Sequence, residues 1–337
     1  MINISIFSKV RGLAPGLLLV GTIALASQFI AARYGGPVML YAILFGIAFN
    51  FLNDEQKCTA GIQFASKRIL QLGVILLGAG VTLAEIAALG WVTAALVVIA
   101  VTATITIGWA IGRAGKLSSS HAVLSSGAVA ICGASAAMAI ASVLPQNKDS
   151  ERNLILTVVG VTSLSTVAMV VYPSLTHLLG FSDMRAGIFL GATIHDVAQV
   201  IGAGYIVSDE AAEVAAVVKL MRVTLLAPAV LAIALVFSRS GGNAGAAERA
   251  FPLFLIGFAV LMGANSFGII SPEARDFFGD ASRWSLVAAV SALGVKTSLK
   301  DLFEVGPRPV AVLFLQTLFL AGFVIAAGFL LSGGLPG

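Results

Sequence analysis

His195 and Asp196 are neighbouring ionisable side chains inside a long apolar run of the sequence. Ionisable groups within such a run are costly to place in a membrane and usually serve function. Asp196 could carry a coupling proton or hold a sodium ion, and an imidazole such as that of His195 exchanges protons near neutral pH. Gln199 follows His195 by about one helical turn and adds an amide for hydrogen bonding. The alternative is that His195 and Asp196 only form hydrogen bonds that hold helices together.

Small residues surround this pair and recur in a second apolar segment. The glycines of the first segment lie within 191–204, and the second segment contains Ser125, Ser126, Gly127, Cys132, Gly133, Ala134 and Ser135. Both segments predict an interruption of a membrane helix, which frees backbone N–H groups at a half-helix N-terminus that suit an anion. The competing interpretation is that these small residues only allow helices to pack closely.

Two cations follow at helical spacing. Lys219 and Arg222 are three residues apart, so both side chains point the same way and could attract an oxyanion. They could instead pair with Asp196 or extend to the membrane surface. Asn265 and Ser266 are polar groups in a later apolar run, where they could line a path or join helices.

The composition requires a membrane to hold these residues. Of the 337 residues, 58% are hydrophobic and 11% are charged, and the mean hydropathy is +1.01. Soluble chains carry roughly 25% charged residues. We therefore predict an all-α polytopic membrane protein with one integral membrane domain over residues 1–337. Basic residues between apolar runs fit membrane topology better than nucleic-acid binding.

Eleven transmembrane helices are predicted from the apolar runs. The spans cover residues 13–32, 37–53, 66–89, 91–113, 119–145, 153–179, 184–207, 214–238, 250–270, 281–302 and 308–332. The loops between them are short, and no G-x-x-x-x-G-K-[ST] motif occurs, which excludes an ATP-driven pump within this chain. Cys58 and Cys132 predict neither a disulfide framework nor a zinc site, and we expect no cofactor besides a coupling H⁺ or Na⁺.

The distribution of Lys and Arg predicts the orientation. Twelve cations fall in loops on one side, including Lys57, Lys67 and Arg68, and five fall on the other, including Arg275 and Arg283. The N-terminus is therefore expected in the cytoplasm and the C-terminus outside.

The sequence contains an internal repeat. Residues 77–90 and 293–306 match at an offset of 216, with Leu, Gly, Leu and Gly at equivalent positions. In the preceding spans, Pro37 and Asn50 match Pro252 and Asn265 at an offset of 215. The matched spans are the third and the tenth in order, and because they are seven spans apart, an odd number, they cross the membrane in opposite directions. The repeat halves, about 36–150 and 184–333, are therefore predicted to be inverted. Inverted repeats with interrupted helices are typical of secondary transporters.

Several motifs resemble one bacterial family. They are I-C-G-A-S-A-A-M-A at 131–139, Y-P-S-L at 172–175, I-H-D-V-A-Q-V at 194–200, V-K-L-M-R-V-T-L-L-A-P at 218–228 and G-A-N-S-F-G at 263–268. Together they are similar to the bacterial sulfate exporter family, also called YeiH-like, over nearly the whole chain. That family is grouped with the bile acid, arsenite and riboflavin transporter superfamily. The resemblance implies two broken, crossing helices in a core domain that moves, elevator-like, against a panel domain. The family more often has Glu at the position of Asp196, and related members are linked with sulfonates such as taurine.

We therefore expect a secondary active exporter of a small oxyanion (sulfate, sulfite or a sulfonate) in the bacterial inner membrane, coupled to a proton or sodium gradient. We expect the protein to be surrounded by the lipid bilayer. A homodimer would suit a core domain that moves against a fixed panel domain. A passive anion channel is the alternative, and a membrane-embedded enzyme using His195 and Asp196 is the third hypothesis.

Overall fold

The structure is a computed structural model that describes residues 2–34, 38–53, 55–237, 254–297 and 307–330. Within these ranges the chain is helical and contains no strand, which confirms the all-α prediction. The helices up to the first interruption are α1 (Ile2–Tyr34), α2 (Val38–Ala48), α3 (Gln56–Phe64), α4 (Leu70–Leu77), α5 (Leu83–Ala88), α6 (Gly90–Ala114) and α7 (Ser119–Ala130). The others are α8 (Ala134–Ala141), α9 (Ser150–Leu178), α10 (Asp183–Thr193), α11 (Val197–Val207), α12 (Asp209–Thr224), α13 (Leu226–Phe237), α14 (Phe254–Ser266), α15 (Pro272–Lys296) and α16 (Pro307–Leu330).

In the part of the chain that the structure describes, every predicted span falls on helical segments. In the described part of the chain, six stretches are long and apolar enough to cross a membrane: Gly12–Tyr34, Gln56–Leu77, Gly90–Ala114, Ser150–Leu178, Asp209–Phe237 and Pro307–Leu330. Shorter apolar helices cover Val38–Ala48, Val197–Val207 and Ile256–Ser266. The count of eleven crossings stays a prediction.

Three helices begin well before the residues that the hydropathy pattern predicts. α1 starts at Ile2, α3 at Gln56 and α15 at Pro272, whereas the spans are predicted from residues 13, 66 and 281. The start of α15 has a clear local cause: the Ser271 hydroxyl accepts a hydrogen bond from the Ala274 N–H, and Pro272 stands at the first turn.

These early starts change the setting of several cations that the topology argument assigns to loops. Lys57 lies in α3, and Lys67 and Arg68 lie in the π-helical turn Ala65–Ile69. Arg275 and Arg283 lie in α15. The first turns of α3 and α15 contain polar residues, so a search for apolar runs places the start of each span later than the start of the helix. The predicted orientation of the termini remains a prediction.

The chain divides into two compact units. Unit 1 contains Met1–Ile86, Ile201–Asp209 and Leu253–Ser298, and unit 2 contains Ala87–Val200, Glu210–Pro252 and Leu299–Gly337. Unit 1 thus holds α1 to α4, α14 and α15. Unit 2 holds both interruptions of helices, at Ile131–Gly133 and Ile194–Asp196, with α9, α12 and α16.

Close contacts in unit 1 follow the spacing of the sequence repeat. A Cβ atom on Gly78 would lie 2.5 Å from the Phe258 carbonyl oxygen, and one on Gly294 would lie 2.6 Å from the Ile43 carbonyl oxygen. The two glycines are 216 residues apart, and the two carbonyls are 215 apart. The end of α4 therefore contacts α14 in the same way as α15 contacts α2. In each contact a glycine leaves room for the backbone of the facing helix.

The matched asparagines of the repeat make similar bonds. Asn50 Nδ2 donates to the Val295 carbonyl at 2.8 Å, in the last turn of α15. Asn265 Nδ2 donates to the Val81 carbonyl at 3.3 Å, just after α4. Three parts of the match lie outside the described residues: positions 298–306, Pro37 and Pro252.

Candidate functional site

The two interruptions lie where the small-residue segments predict them. α7 ends at Ala130 and α8 begins at Ala134, while α10 ends at Thr193 and α11 begins at Val197. Gly133 adopts φ +63° and ψ −124°, a backbone conformation that strongly favours glycine. Gly133 therefore fixes the shape of the first break, and the buried Cys132 lies within that break.

The two breaks meet at the side chain of Lys219. Its Nζ atom donates to the Ile131 carbonyl at 2.7 Å and to the Ile194 carbonyl at 2.9 Å. A Cβ atom on Gly133 would lie 3.5 Å from the Cβ of His195. The interrupted helices thus approach each other at their breaks, and one ammonium group joins them.

Arg222 binds the same two helix ends. Its five N–H···O hydrogen bonds, between 2.7 and 3.1 Å, run to the carbonyls of Val129, Ala130, Gly191 and Ile194, with two of the bonds to Ala130. A guanidinium has five N–H donors, so every donor is used. The C-terminal ends of α7 and α10 carry partial negative charge, and both face this cation.

Lys219 and Arg222 are completely buried, with exposed fractions of 0% and 1%. Among the described residues, the ion pair with an N···O distance below 4 Å joins Arg283 to Asp209, at a different place in the chain. Neither buried cation therefore forms an ion pair with Asp196 or extends to the surface, the two alternatives considered from the sequence. The crossing holds two cations and one nearby carboxylate, that of Asp196.

His195 is buried at the crossing with both ring nitrogens bonded. Nδ1 lies 3.1 Å from the Val129 carbonyl, and Nε2 lies 3.1 Å from the Thr317 hydroxyl. Because a carbonyl can only accept, Nδ1 carries a proton, and a neutral imidazole then accepts from Thr317 at Nε2. His195 thus joins α16 to the end of α7.

Asp196 occupies the N-terminal end of α11. Its Oδ1 accepts a hydrogen bond from the Ala198 N–H at 2.9 Å, which caps the helix. The Ser165 hydroxyl accepts from the backbone N–H groups of His195 and Asp196 at 3.2 and 3.1 Å. Ser165, a residue of α9, therefore stabilises the backbone of the second break.

The first break differs at the corresponding point. Gly133 is the N-cap of α8 and has no side chain that could accept a hydrogen bond. Ala134 is half-buried and Ser135 is exposed. The N-terminal end of α8 thus lacks the carboxylate that caps α11.

Gln199 is buried near the second break. Its Nε2 donates to the Thr166 hydroxyl at 2.7 Å, while its Oε1 is one of the buried polar atoms without a hydrogen-bond partner among the described residues. A buried amide oxygen of this kind can still accept a hydrogen bond from a ligand or a water molecule.

Asn265 and Ser266 belong to unit 1 and make their contacts there. The Ser266 hydroxyl accepts from the Leu83 N–H at 2.8 Å, and Asn265 bonds to the Val81 carbonyl. Both side chains therefore hold α14 against the turn between α4 and α5.

Three residues of the crossing escape the sequence argument: Ser165, Thr317 and Gln316. Gln316 is buried, and its Nε2 donates to the Gly108 carbonyl at 2.8 Å and to the Ser125 hydroxyl at 3.1 Å. The signal that could have found them is a polar group in the middle of an apolar span, as in Ser163–Thr166 of α9 and Gln316-Thr317 of α16.

Comparison with known proteins places this chain in a family. The sequence matches the family described as Conserved hypothetical protein 698 over residues 15–313. A UPF0324 membrane protein of Chlorobaculum tepidum is 47% identical over 93% of this chain and 88% of its own length. One from Rhizobium meliloti is 48% identical over 94% of this chain and 93% of its own length. The UPF0324 membrane protein TauZ of Paracoccus pantotrophus is 48% identical over 94% of this chain and 95% of its own.

No solved structure matches the chain. The relatives named above are bacterial membrane proteins, in keeping with the apolar helices of the fold. From the extent of these matches, the chain belongs to the UPF0324 family of membrane proteins, described as Conserved hypothetical protein 698.

Proposed function

We propose that this protein is a secondary active transporter that exports a small oxyanion across the bacterial inner membrane. The observation that carries the proposal is the pair of buried cations, Lys219 and Arg222, at the crossing of two interrupted helices. Among the described residues, no carboxylate oxygen lies within 4 Å of the nitrogens of either cation, so the crossing keeps an excess of positive charge in an apolar surrounding. Charges in a medium of low dielectric act strongly on a neighbouring anion.

The donors that would touch the anion belong to the backbone rather than to the two cations. All five N–H groups of Arg222 and two of the three of Lys219 are bound to carbonyls. The N-terminal end of α8 combines the backbone N–H groups that follow Gly133, an N-cap residue without a side chain, with the exposed hydroxyl of Ser135. Helix N-termini of this kind bind anions, and the buried cations raise the potential there.

Alternating access is supported by the repeat. The contacts of Gly78 with α14 and of Gly294 with α2 have the same offset as the sequence match, as do Asn50 and Asn265. Inverted repeats with interrupted helices occur in secondary transporters. We assign the role of the core to unit 2, which holds both breaks, and that of the panel to unit 1.

Asp196 is the proposed site of the coupling ion, a proton or sodium. Its carboxylate is half-buried and accepts one backbone hydrogen bond, which leaves the other oxygen for an ion. The resemblance to sulfate exporters of the bile acid, arsenite and riboflavin transporter superfamily favours sulfate, sulfite or a sulfonate as cargo. The name TauZ carried by two relatives is in keeping with a sulfonate.

Flux into proteoliposomes tests the proposal. Purified protein is reconstituted, and uptake of radiolabelled sulfate, sulfite and taurine is measured with a pH gradient, a sodium gradient or neither. We expect accumulation of at least one of these anions above equilibrium when an ion gradient is imposed. Flux that runs only down the gradient of the anion itself would indicate a passive channel, and absence of flux for every anion tested would contradict the substrate class.

A further inference from the structure

The carbonyl groups at the two breaks already hold cations that belong to the protein. In transporters with interrupted helices, unwound carbonyls and half-helix C-termini coordinate sodium. Here the carbonyls of Ile131 and Ile194 converge on the ammonium of Lys219, at distances of 2.7 and 2.9 Å. We infer that Lys219 is a tethered substitute for a bound monovalent cation, and that removing it opens a cation site between the two breaks.

The carbonyl lone pairs explain why the intact crossing leaves few acceptors for a metal ion. A carbonyl oxygen accepts two hydrogen bonds. The Ala130 carbonyl accepts two from Arg222, and the Ile194 carbonyl accepts one from Arg222 and one from Lys219. The Val129 carbonyl accepts one from Arg222 and lies within hydrogen-bond distance of Nδ1 of His195. These three oxygens are fully used, and Ile131 retains one lone pair.

Loss of the ammonium changes that balance. Without Lys219, the Ile131 carbonyl has no donor and the Ile194 carbonyl keeps only Arg222. Both oxygens then lie at the negative ends of helices in a buried space that a side chain has vacated. A sodium, potassium or ammonium ion supplies the missing charge there without any new protein group.

The inference narrows the identity of the coupling ion, and this consequence rests on the proposed function. If the crossing holds its own cations, the coupling ion is a proton at Asp196 and not sodium at the breaks. The cation site itself can be tested without any transport measurement, so either idea can fail while the other stands.

Thermal unfolding of the purified full-length protein in detergent provides the test. Midpoints are measured in choline, sodium, potassium and ammonium chloride at equal ionic strength. We expect the wild-type midpoint to stay within about 1 °C across the four salts, because no site awaits a cation. The Lys219→Ala midpoint in choline should fall by about 5–15 °C, and sodium, potassium or ammonium should restore part of the loss with saturation.

Two further variants separate a site from a general salt effect. Lys219→Met fills the space with an uncharged side chain, so no cation should restore its midpoint. Lys296→Ala removes a lysine of unit 1 whose Nζ lies 3.4 Å from the Ser66 hydroxyl, and its midpoint should show no dependence on the cation.

Three outcomes would overturn the inference. They are saturable stabilisation of the wild type by sodium over choline, a Lys219→Ala protein that no cation stabilises, and equal stabilisation of Lys219→Ala and Lys219→Met. If Lys219→Ala yields no folded protein, Lys219→Gln takes its place, and the wild-type measurement still decides the first part.

Discussion

The two interruptions of unit 2 are alike at one side and unlike at the other. On the side where α7 and α10 end, Lys219 and Arg222 bind the carbonyls of both helices. On the side where α8 and α11 begin, only α11 has an anionic cap, the carboxylate of Asp196. The N-cap of α8 is Gly133, which has no side chain to offer.

The difference assigns separate tasks to the two breaks. A helix N-terminus with its own carboxylate has its partial positive charge satisfied, and that carboxylate can take up a proton. A helix N-terminus without a cap can accept an external anion. The break at Ile131–Gly133 therefore suits the cargo, and the break at Ile194–Asp196 suits the coupling ion.

Giving the first break a carboxylate of its own should have the largest effect. In Ala134→Asp, the new side chain stands in the first turn of α8 and competes with the cargo for the same N–H groups. Anion binding should weaken by at least ~100-fold, since like charges brought together in a binding site cost several kcal/mol. Binding is measured by titration with sulfate, sulfite and taurine.

Ala134→Asn is the matched control for this substitution. It has nearly the same shape without the charge, so its binding should fall much less. Equal losses in the two variants would show that α8 does not hold the anion.

Removing the charge of the second break should uncouple transport. Asp196→Asn keeps an oxygen for the Ala198 N–H, so the fold should persist while the site of the coupling proton is lost. Flux in proteoliposomes is expected to continue without response to an imposed gradient. Asp196→Ala should behave likewise and also lose about 1 kcal/mol of stability with the cap. Gradient-driven accumulation by Asp196→Asn equal to that of the wild type would contradict the role of Asp196.

The shape of the first break can be altered without adding a charge. Gly133→Ala places a side chain at φ +63°, which costs of order 1–3 kcal/mol and shifts the start of α8. Transport should fall about 10-fold or more. Gly180 has φ +66° and no atom within 4 Å of a Cβ, so Gly180→Ala also places a side chain at positive φ, but away from the crossing. If both variants lose transport equally, strain rather than the shape of the break is responsible.

The smallest expected effect concerns a single hydroxyl. Ser135 is exposed at the start of α8, and Ser142 is exposed at its end, where it bonds to the Ala139 carbonyl. Ser135→Ala should weaken anion affinity about 3–10-fold, the worth of one hydrogen bond, whereas Ser142→Ala should leave it unchanged. Affinity measured by the same titration decides between them.

The sequence predicts the positions of both breaks because glycine and small polar residues cluster at these two places within apolar runs. It also identifies His195, Asp196 and the pair Lys219 and Arg222 as groups that must be accounted for. It does not reveal what the two cations bind, since their partners are backbone carbonyls that any residue provides. Those carbonyls are 25 to 93 residues away along the chain.

The supporting residues are harder still to predict. Ser165 lies 30 residues from His195, and Thr317 lies 122 residues from it. A serine or threonine in an apolar helix usually bonds to its own preceding turn, as Thr93 and Ser291 do here. Only the packing of α9 and α16 against the breaks shows which hydroxyl serves another helix.

The ammonium of Lys219 has a consequence for motion. Its two bonds, at 2.7 and 2.9 Å, end on different helices, so any separation of the end of α7 from the end of α10 breaks at least one of them. Arg222 imposes the same condition through the carbonyls of four residues, one of which, Ile194, it shares with Lys219. The two crossed helices are therefore expected to travel as one rigid piece. Spin labels placed on α7 and α10 should report a single, narrow distance in every state of the protein.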